Sequence, residues 1–139
     1  MLPDAAPCRN WRSKETVLKL HLAQNSGQNA FTGYGEGFVL VNAQRFERSV
    51  IVLPDRIVPE WGPRSLEALG EAHFAQLAAL DVEIVLLGTG AALRFPAPRL
   101  IAPLARAGIG FEAMDSFAAA RTYNILMGEG RRVAAALLL

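Results

Sequence analysis

The sequence predicts an α/β domain in which two main helices pack on a mixed β-sheet. Three observations carry this expectation. Short extended runs alternate along the chain with two longer segments of helical spacing. With 139 residues, 52% of them apolar and 19% charged, the chain can bury one core without covalent staples. Its one cysteine, Cys8, excludes an internal disulfide framework.

Residues 1–15, with Pro3, Pro7, Arg9 and Arg12, read as a flexible N-terminal arm, and residues 16–139 as the single domain. Over residues 16–22, Leu18, Leu20 and Leu22 share one face and Val17, Lys19 and His21 the other, the alternation of a half-buried strand. The glycines Gly27, Gly33, Gly35 and Gly37 come next. Alternate glycines fit a bent or bulged strand, or a close approach of another backbone. Phe38-Val39-Leu40-Val41 is extended, and Arg45-Phe46-Glu47-Arg48 with Ser49-Val50-Ile51-Val52-Leu53 reads as a second strand pair. Ile57-Val58 is a short extended piece, closed by Pro59 and Trp61-Gly62-Pro63.

The first helix is expected from a Ser65 cap, with Leu66, Leu69, His73, Leu77 and Leu80 at helical spacing and Phe74 widening the stripe. Glu67 and Glu71 suit its dipole. Residues 82–87 form a buried strand that ends at Gly88-Thr89-Gly90. Pro96, Pro98 and Pro103 exclude a long helix over residues 91–103 and leave room for a short one over residues 100–107. Residues 108–114 read as a strand. Asp115 or Ser116 then caps a second main helix to about Met127, stopped by Gly128 and Gly130, and residues 132–138 form the last strand.

Composition excludes several functions. A net charge of +1 with scattered arginines gives no field or stripe for nucleic acid. The longest apolar run, residues 133–139, falls far short of the roughly 20 residues needed to insert in a membrane. The start lacks the apolar stretch of a signal peptide, so a cytoplasmic location is expected. His21, His73 and Cys8 do not fall at metal-ligand spacing, so no metal and no cofactor are expected. There is no Gly-x-Ser-x-Gly elbow, and Gly33-Tyr34-Gly35-Glu36-Gly37 lacks the lysine strand and Asp-Phe-Gly element of a kinase. The balance is against an enzyme.

Two elements remain as candidates. Gly88-Thr89-Gly90 follows a buried strand, as in dinucleotide-binding turns, but Leu93 occupies the sixth position and Pro96 breaks the helix that should come next. It reads either as a turn required by packing or as an anion-holding turn with Arg94 or Arg99 beside it. In the second main helix Phe117, Ala120, Arg121, Asn124 and Ile125 recur at helical spacing, which sets the polar Arg121–Asn124 pair in an apolar stripe. A buried Asn or Arg needs partners. Either Asn124 ties the helix to strand or turn backbone, or Arg121 and Asn124 border a polar pocket with the glycine turn. The candidate ligand-binding set is thus Gly88, Thr89, Gly90, Arg121, Thr122 and Asn124.

Phe31-Thr32-Gly33-Tyr34-Gly35, Leu87-Gly88-Thr89-Gly90, Glu112-Ala113-Met114-Asp115, Arg121-Thr122-Tyr123-Asn124-Ile125-Leu126 and the closing Glu129 to Leu137 segment occur in a specific order and spacing. Over residues 16–138 the chain resembles the domain-of-unknown-function family that includes the mitochondrial respiratory complex I assembly factor 3 and an adipogenesis-associated protein. The resemblance implies a mixed, partly barrel-like sheet with two helices and no established enzymatic activity. In the mitochondrial branch it implies a role in assembling complex I through protein contacts. Many relatives carry a cysteine where this chain has Ala120, so no thiol chemistry is expected there, and the shared feature falls to shape and to Thr89, Thr122 and Asn124. The expectation is a non-enzymatic binding or assembly protein with a protein partner. The alternative is a small-molecule or anion-binding domain at the candidate set. The sequence leaves the oligomeric state open.

Overall fold

The computed structural model describes residues 27–139. The arm expected over residues 1–15 and the strand expected over 16–22 lie outside them. Three strands, β1 (Phe31–Gly35), β2 (Phe38–Val41) and β3 (Gln44–Phe46), form an antiparallel sheet in sequence order. The alternate glycines belong to β1, whose register shifts between Phe31 and Gly33. A Cβ at Gly35 would lie 2.4 Å from the Phe38 ring, so the glycine admits that ring across the strand pair.

The β2–β3 turn has both central residues in the left-handed region, Asn42 at φ 52° and Ala43 at φ 69°. Such turns match the twist of paired strands. Asn42 suits the site and uses its amide as well, accepting from the Ala30 N–H at 3.1 Å and donating to Asn29 Oδ1 at 2.8 Å. The Ala43 N–H donates to Thr32 Oγ1 at 2.9 Å, a bond that glycine would keep, and its methyl offers nothing to offset a left-handed conformation that costs an L-residue roughly 1–2 kcal/mol. Ala43→Gly is therefore expected to stabilise the domain by about 0.5–1 kcal/mol after the glycine's greater unfolded-state entropy is counted. An upward shift of the urea midpoint at constant m-value would show it; an unchanged midpoint would refute it.

The second sheet contains β4 (Val50–Leu53), β5 (Arg56–Val58), β6 (Ile84–Gly88), β7 (Gly110–Met114) and β8 (Val133–Leu137) in the order β5-β4-β8-β6-β7. Strand β4 runs antiparallel to β5 and β8, and β6 runs parallel to β8 and β7. The strand pair expected over residues 45–53 is thus divided between sheets. Phe46 pairs with Val39 in the small sheet, Val50 pairs with Leu137 in the large one, and residues 47–49 cross between them.

Among the described residues there are three α-helices, the two main ones expected and the short one allowed over residues 100–107. They are α1 (Glu71–Ala78), α2 (Pro98–Arg106) and α3 (Ser116–Gly128), with a short 3-10 turn at Leu66–Ala68. The first expected helix is broken because Gly70 takes an extended conformation, and Ser65 makes no side-chain cap bond. Gly70 caps α1, and its N–H donates to His73 Nδ1 at 3.0 Å. Helix α2 starts earlier than residue 100 because Pro98 occupies its first turn, where a proline's missing N–H costs nothing. Leu100 and Leu104, one turn apart, are its buried residues.

The large sheet is covered on both faces. Ile51, Leu53, Val85, Leu87, Ala134 and Ala136 point to the side of α1 and α2, where they meet Phe74, Leu77, Leu100 and Leu104. Val50, Val52, Leu86, Val133, Ala135 and Leu137 point to the other, where they meet Ala119, Ala120, Tyr123 and Met127 of α3 and Phe31, Val39 and Val41 of the small sheet. All five residues of β8 are buried. Its three alanines carry one methyl each, which allows both helical layers to sit close to the sheet's middle strand.

Candidate functional site

Strands β6 and β7 are parallel neighbours whose C-terminal connections leave toward opposite faces, one to α2 and the other to α3. In open α/β sheets such a point leaves a crevice between the two loops. Here hydrogen bonds close it. Thr89 N–H donates to Met114 O at 2.8 Å, Gly90 N–H to Ser116 Oγ at 2.9 Å, and Ser116 N–H to Gly90 O at 2.9 Å. The Ser116 hydroxyl donates in turn to Leu138 O at 2.7 Å, and Leu138 N–H returns to Gly88 O at 2.9 Å. Gly88 has no room for a side chain, since an added Cβ would lie 2.7 Å from Leu137 Cδ2 and 2.8 Å from Ser116 Cα.

Thr89 is 8% exposed and organises the loop after it. Its hydroxyl donates to Ala92 O at 2.7 Å and accepts from the Arg94 N–H at 3.0 Å. Gly90 takes φ 93°, the left-handed conformation that lets the chain double back. Arg94 also pairs with Glu67, which holds that carboxyl below its ordinary range and raises the guanidinium. The loop so fixed presents Leu93, 51% exposed, and Phe95, 73% exposed. Neither belongs to the candidate set read from the sequence. The available signal was an aromatic residue outside any periodic pattern, between Arg94 and Pro96.

Helix α3 begins at Asp115, whose carboxylate accepts from the Ala118 N–H at 2.9 Å. Its buried residues are Ser116, Ala119, Ala120, Tyr123 and Met127. This corrects the expected stripe of Phe117, Ala120, Arg121, Asn124 and Ile125: the core side lies next to it around the helix, and Ile125 is 62% exposed. Asn124 stands at the border. Its Oδ1 accepts from the Phe31 N–H at 2.9 Å and its Nδ2 donates to Phe31 O at 2.7 Å, so one carboxamide substitutes for a neighbouring strand along the outer edge of β1. Arg121 reaches the same strand, donating to Tyr34 Oη at 3.0 Å, a bond that raises its pKa. The Tyr34 ring stacks on Phe117 at 4.6 Å. Thr122 is half-buried on this helix.

The candidate residues therefore fall into two groups, both attached to α3. The glycine turn joins its N-terminus through Ser116, and Arg121 and Asn124 join β1 further along. Among the described residues no hydrogen bond connects Gly88, Thr89 or Gly90 with Arg121, Thr122 or Asn124.

Tyr123 is fully buried, makes an edge contact with Phe31 at 5.2 Å, and donates to Asn29 O at 2.8 Å. Burial, and secondarily the charge of Asp55, raises its phenol pKa above the ordinary value of about 10. In the unfolded chain the phenol ionises near that value while the folded one stays protonated. Stability should therefore fall as pH climbs past about 10. Tyr123→Phe is expected to cost about 1 kcal/mol at neutral pH and to flatten this alkaline loss. Urea midpoints between neutral pH and pH ~11 would reveal it; parallel pH profiles for both proteins would refute the assignment.

Two solved structures share the architecture. A crystal structure of a Bordetella parapertussis protein is 40% identical, with a TM-score of 0.76 over 81% of this chain and 97% of that one. A solution structure of an Mth938-like domain from Bordetella pertussis is 34% identical, with a TM-score of 0.71 over 81% and 87%. The molecule is thus an α/β domain of the Mth938-like class. Residues 31–138 match the family described as protein of unknown function DUF498/DUF598, and the chain belongs to that family. An uncharacterised protein of Rhodobacter capsulatus is 33% identical over 113 residues, covering 81% of this chain and 86% of that protein. The bovine NADH dehydrogenase [ubiquinone] 1 alpha subcomplex assembly factor 3 is 34% identical over 104 residues, covering 73% of this chain and 55% of that protein. These matches bear out the resemblance drawn from the motifs. No helix among the described residues is long and apolar enough to cross a membrane.

Proposed function

We propose that this chain is a non-enzymatic protein-binding factor that holds a subunit of a membrane NADH dehydrogenase before its incorporation, with Leu93 and Phe95 as the contact. One observation carries the reading: a phenylalanine left 73% exposed on a loop that Thr89 ties internally from both sides. Exposed apolar residues on a fixed frame suit protein contacts, because little side-chain or loop entropy is lost on binding. The glycine turn and Thr89 then serve as the loop's support. The partner class is taken from the bovine relative, whose name states an assembly role.

The test is complementation in the native host. A deletion strain is expected to accumulate less assembled NADH dehydrogenase, and the wild-type gene to restore it. Phe95→Asp is expected to fail to restore it, although the purified variant stays within about 0.5 kcal/mol of wild type in stability. A photo-crosslinking residue at position 95 should capture a subunit of that enzyme. Normal assembly in the deletion strain would overturn the proposal.

A further inference from the structure

Among the described residues the two sheets end on β1 and β3 and on β5 and β7. Three of these edges are guarded. Asn124 bonds both backbone groups of Phe31 on β1, while β3 and β5 have three residues each and Pro59 follows β5. Short strands, prolines and covering side chains are the usual protection of an edge. Strand β7 differs, with five residues and no proline.

The register of β7 fixes which backbone groups point outward. Gly110 N–H donates to Glu83 O and Met114 O accepts from Thr89 N–H, each at 2.8 Å, and the pairing runs unbroken from Ile84–Gly110 to Gly88–Met114. In a parallel ladder only alternate residues bond a given neighbour. Gly110, Glu112 and Met114 therefore face β6, and the N–H and C=O of Phe111 and Ala113 point away from the sheet, unbonded among the described residues. Gly110 and Glu112 are exposed and Phe111 and Ala113 half-buried, so the edge can be reached.

Glu112 is the single charge on this strand. Phe111 packs on the α1 and α2 side, against Phe74 at 6.2 Å, so Glu112 lies on the α3 side, and among the described residues no cation lies within 4 Å of it. A second copy could use both outward residues of each strand only in the antiparallel register that sets Glu112 against Glu112. That is a non-hydrogen-bonded position, where side chains approach most closely and like charges are destabilising. The same carboxylate favours a strand that carries lysine or arginine there.

We propose that the β7 edge binds an extended segment of another protein as an added antiparallel strand, with a lysine or arginine opposite Glu112. Main-chain bonds to Phe111 and Ala113 supply affinity, and Glu112 selects a basic segment while keeping copies of this chain apart. The site depends neither on the Phe95 contact nor on the enzyme that contact serves.

Amide hydrogen exchange and NMR titration of the full chain test it. In the free chain the Phe111 and Ala113 amides should exchange much faster than those of Glu112 and Met114. The capped peptide Thr-Val-Thr-Lys-Thr-Val-Thr should give saturable shifts over residues 110–114 at low salt and slow the two outward amides about tenfold or more. Its counterpart with glutamate in place of lysine should bind about fivefold more weakly, and Glu112→Lys should reverse that preference. Three results overturn the proposal. They are slow exchange of both outward amides in the free chain, the absence of saturable shifts at millimolar peptide, and equal binding of the two peptides.

Discussion

Replacing Asn124 with leucine is expected to destabilise the domain by about 2–4 kcal/mol, among the largest effects of any single change outside the apolar core. The side chains are similar in volume, so the cost is not a cavity. It is the loss of both hydrogen bonds to Phe31, 2.9 Å to its N–H and 2.7 Å to its carbonyl. Phe31 is only 3% exposed, and an unsatisfied buried backbone group costs about 1–3 kcal/mol. Half-burial of Asn124 admits some water and keeps the sum below the extreme. A typical domain has about 5–15 kcal/mol in total, so the variant should remain folded in the cold and melt much earlier. Asn124→Asp divides the effect: the carboxylate still accepts from the Phe31 N–H but meets the Phe31 carbonyl without a donor. Guanidinium unfolding of both variants checks this, and a loss below about 1 kcal/mol for leucine would show that water replaces the amide.

Gly88→Val should be more damaging still and leave little folded protein. Even a single methyl at Gly88 would lie 2.8 Å from Ser116 Cα, a backbone atom that cannot rotate away. To make room, the N-terminus of α3 must retreat. That retreat breaks the bonds of Ser116 to Gly90 and Leu138 together, at 2.9 Å and 2.7 Å. Overpacking alone costs about 1–3 kcal/mol, and the lost bonds add to it. Gly88→Ala is the measurable form, with an expected loss of about 3 kcal/mol or more in a urea titration. Retention of wild-type stability would mean that Leu137 and α3 yield more readily than their geometry indicates.

Much of the fold was legible because periodicity reports burial directly. Val50 to Leu53 form a buried strand as read, the strand expected over residues 82–87 is found at Ile84–Gly88, and Asp115 caps its helix as its position indicated. The misreadings have local causes. Ala120 belongs to two overlapping stripes on α3, and the pattern alone favoured the one with the larger side chains, Phe117 and Ile125. The small stripe won because Ala119 and Ala120 pack against a strand that is itself mostly alanine. Ser65 looked like a cap, yet Gly70, with no side chain to signal it, interrupted the helix by adopting an extended backbone. Pro98 argued against a helix at the one place where proline opens one.

The candidate site was legible in its members and not in its arrangement. Asn124 was expected to need a partner, and the two readings differed only in what that partner was; a backbone strand edge 93 residues away leaves no trace in the local sequence. The exposure of Phe95 is a property of its surroundings, which no residue type encodes.

The order of the large sheet has a consequence for biosynthesis. Strand β8 lies between β4 and β6, yet it is the last strand along the chain. A nascent polypeptide extruded from the ribosome carries the two halves of that sheet with nothing to join them until residues 133–137 have emerged. Until then the facing rows of Val50, Ile51, Val52, Val85, Leu86 and Leu87 are open to other chains, because unpaired apolar strands are templates for aggregation. The domain closes in one late step, like a keystone set after both sides of an arch, so chaperone protection matters most until residues 133–137 have emerged.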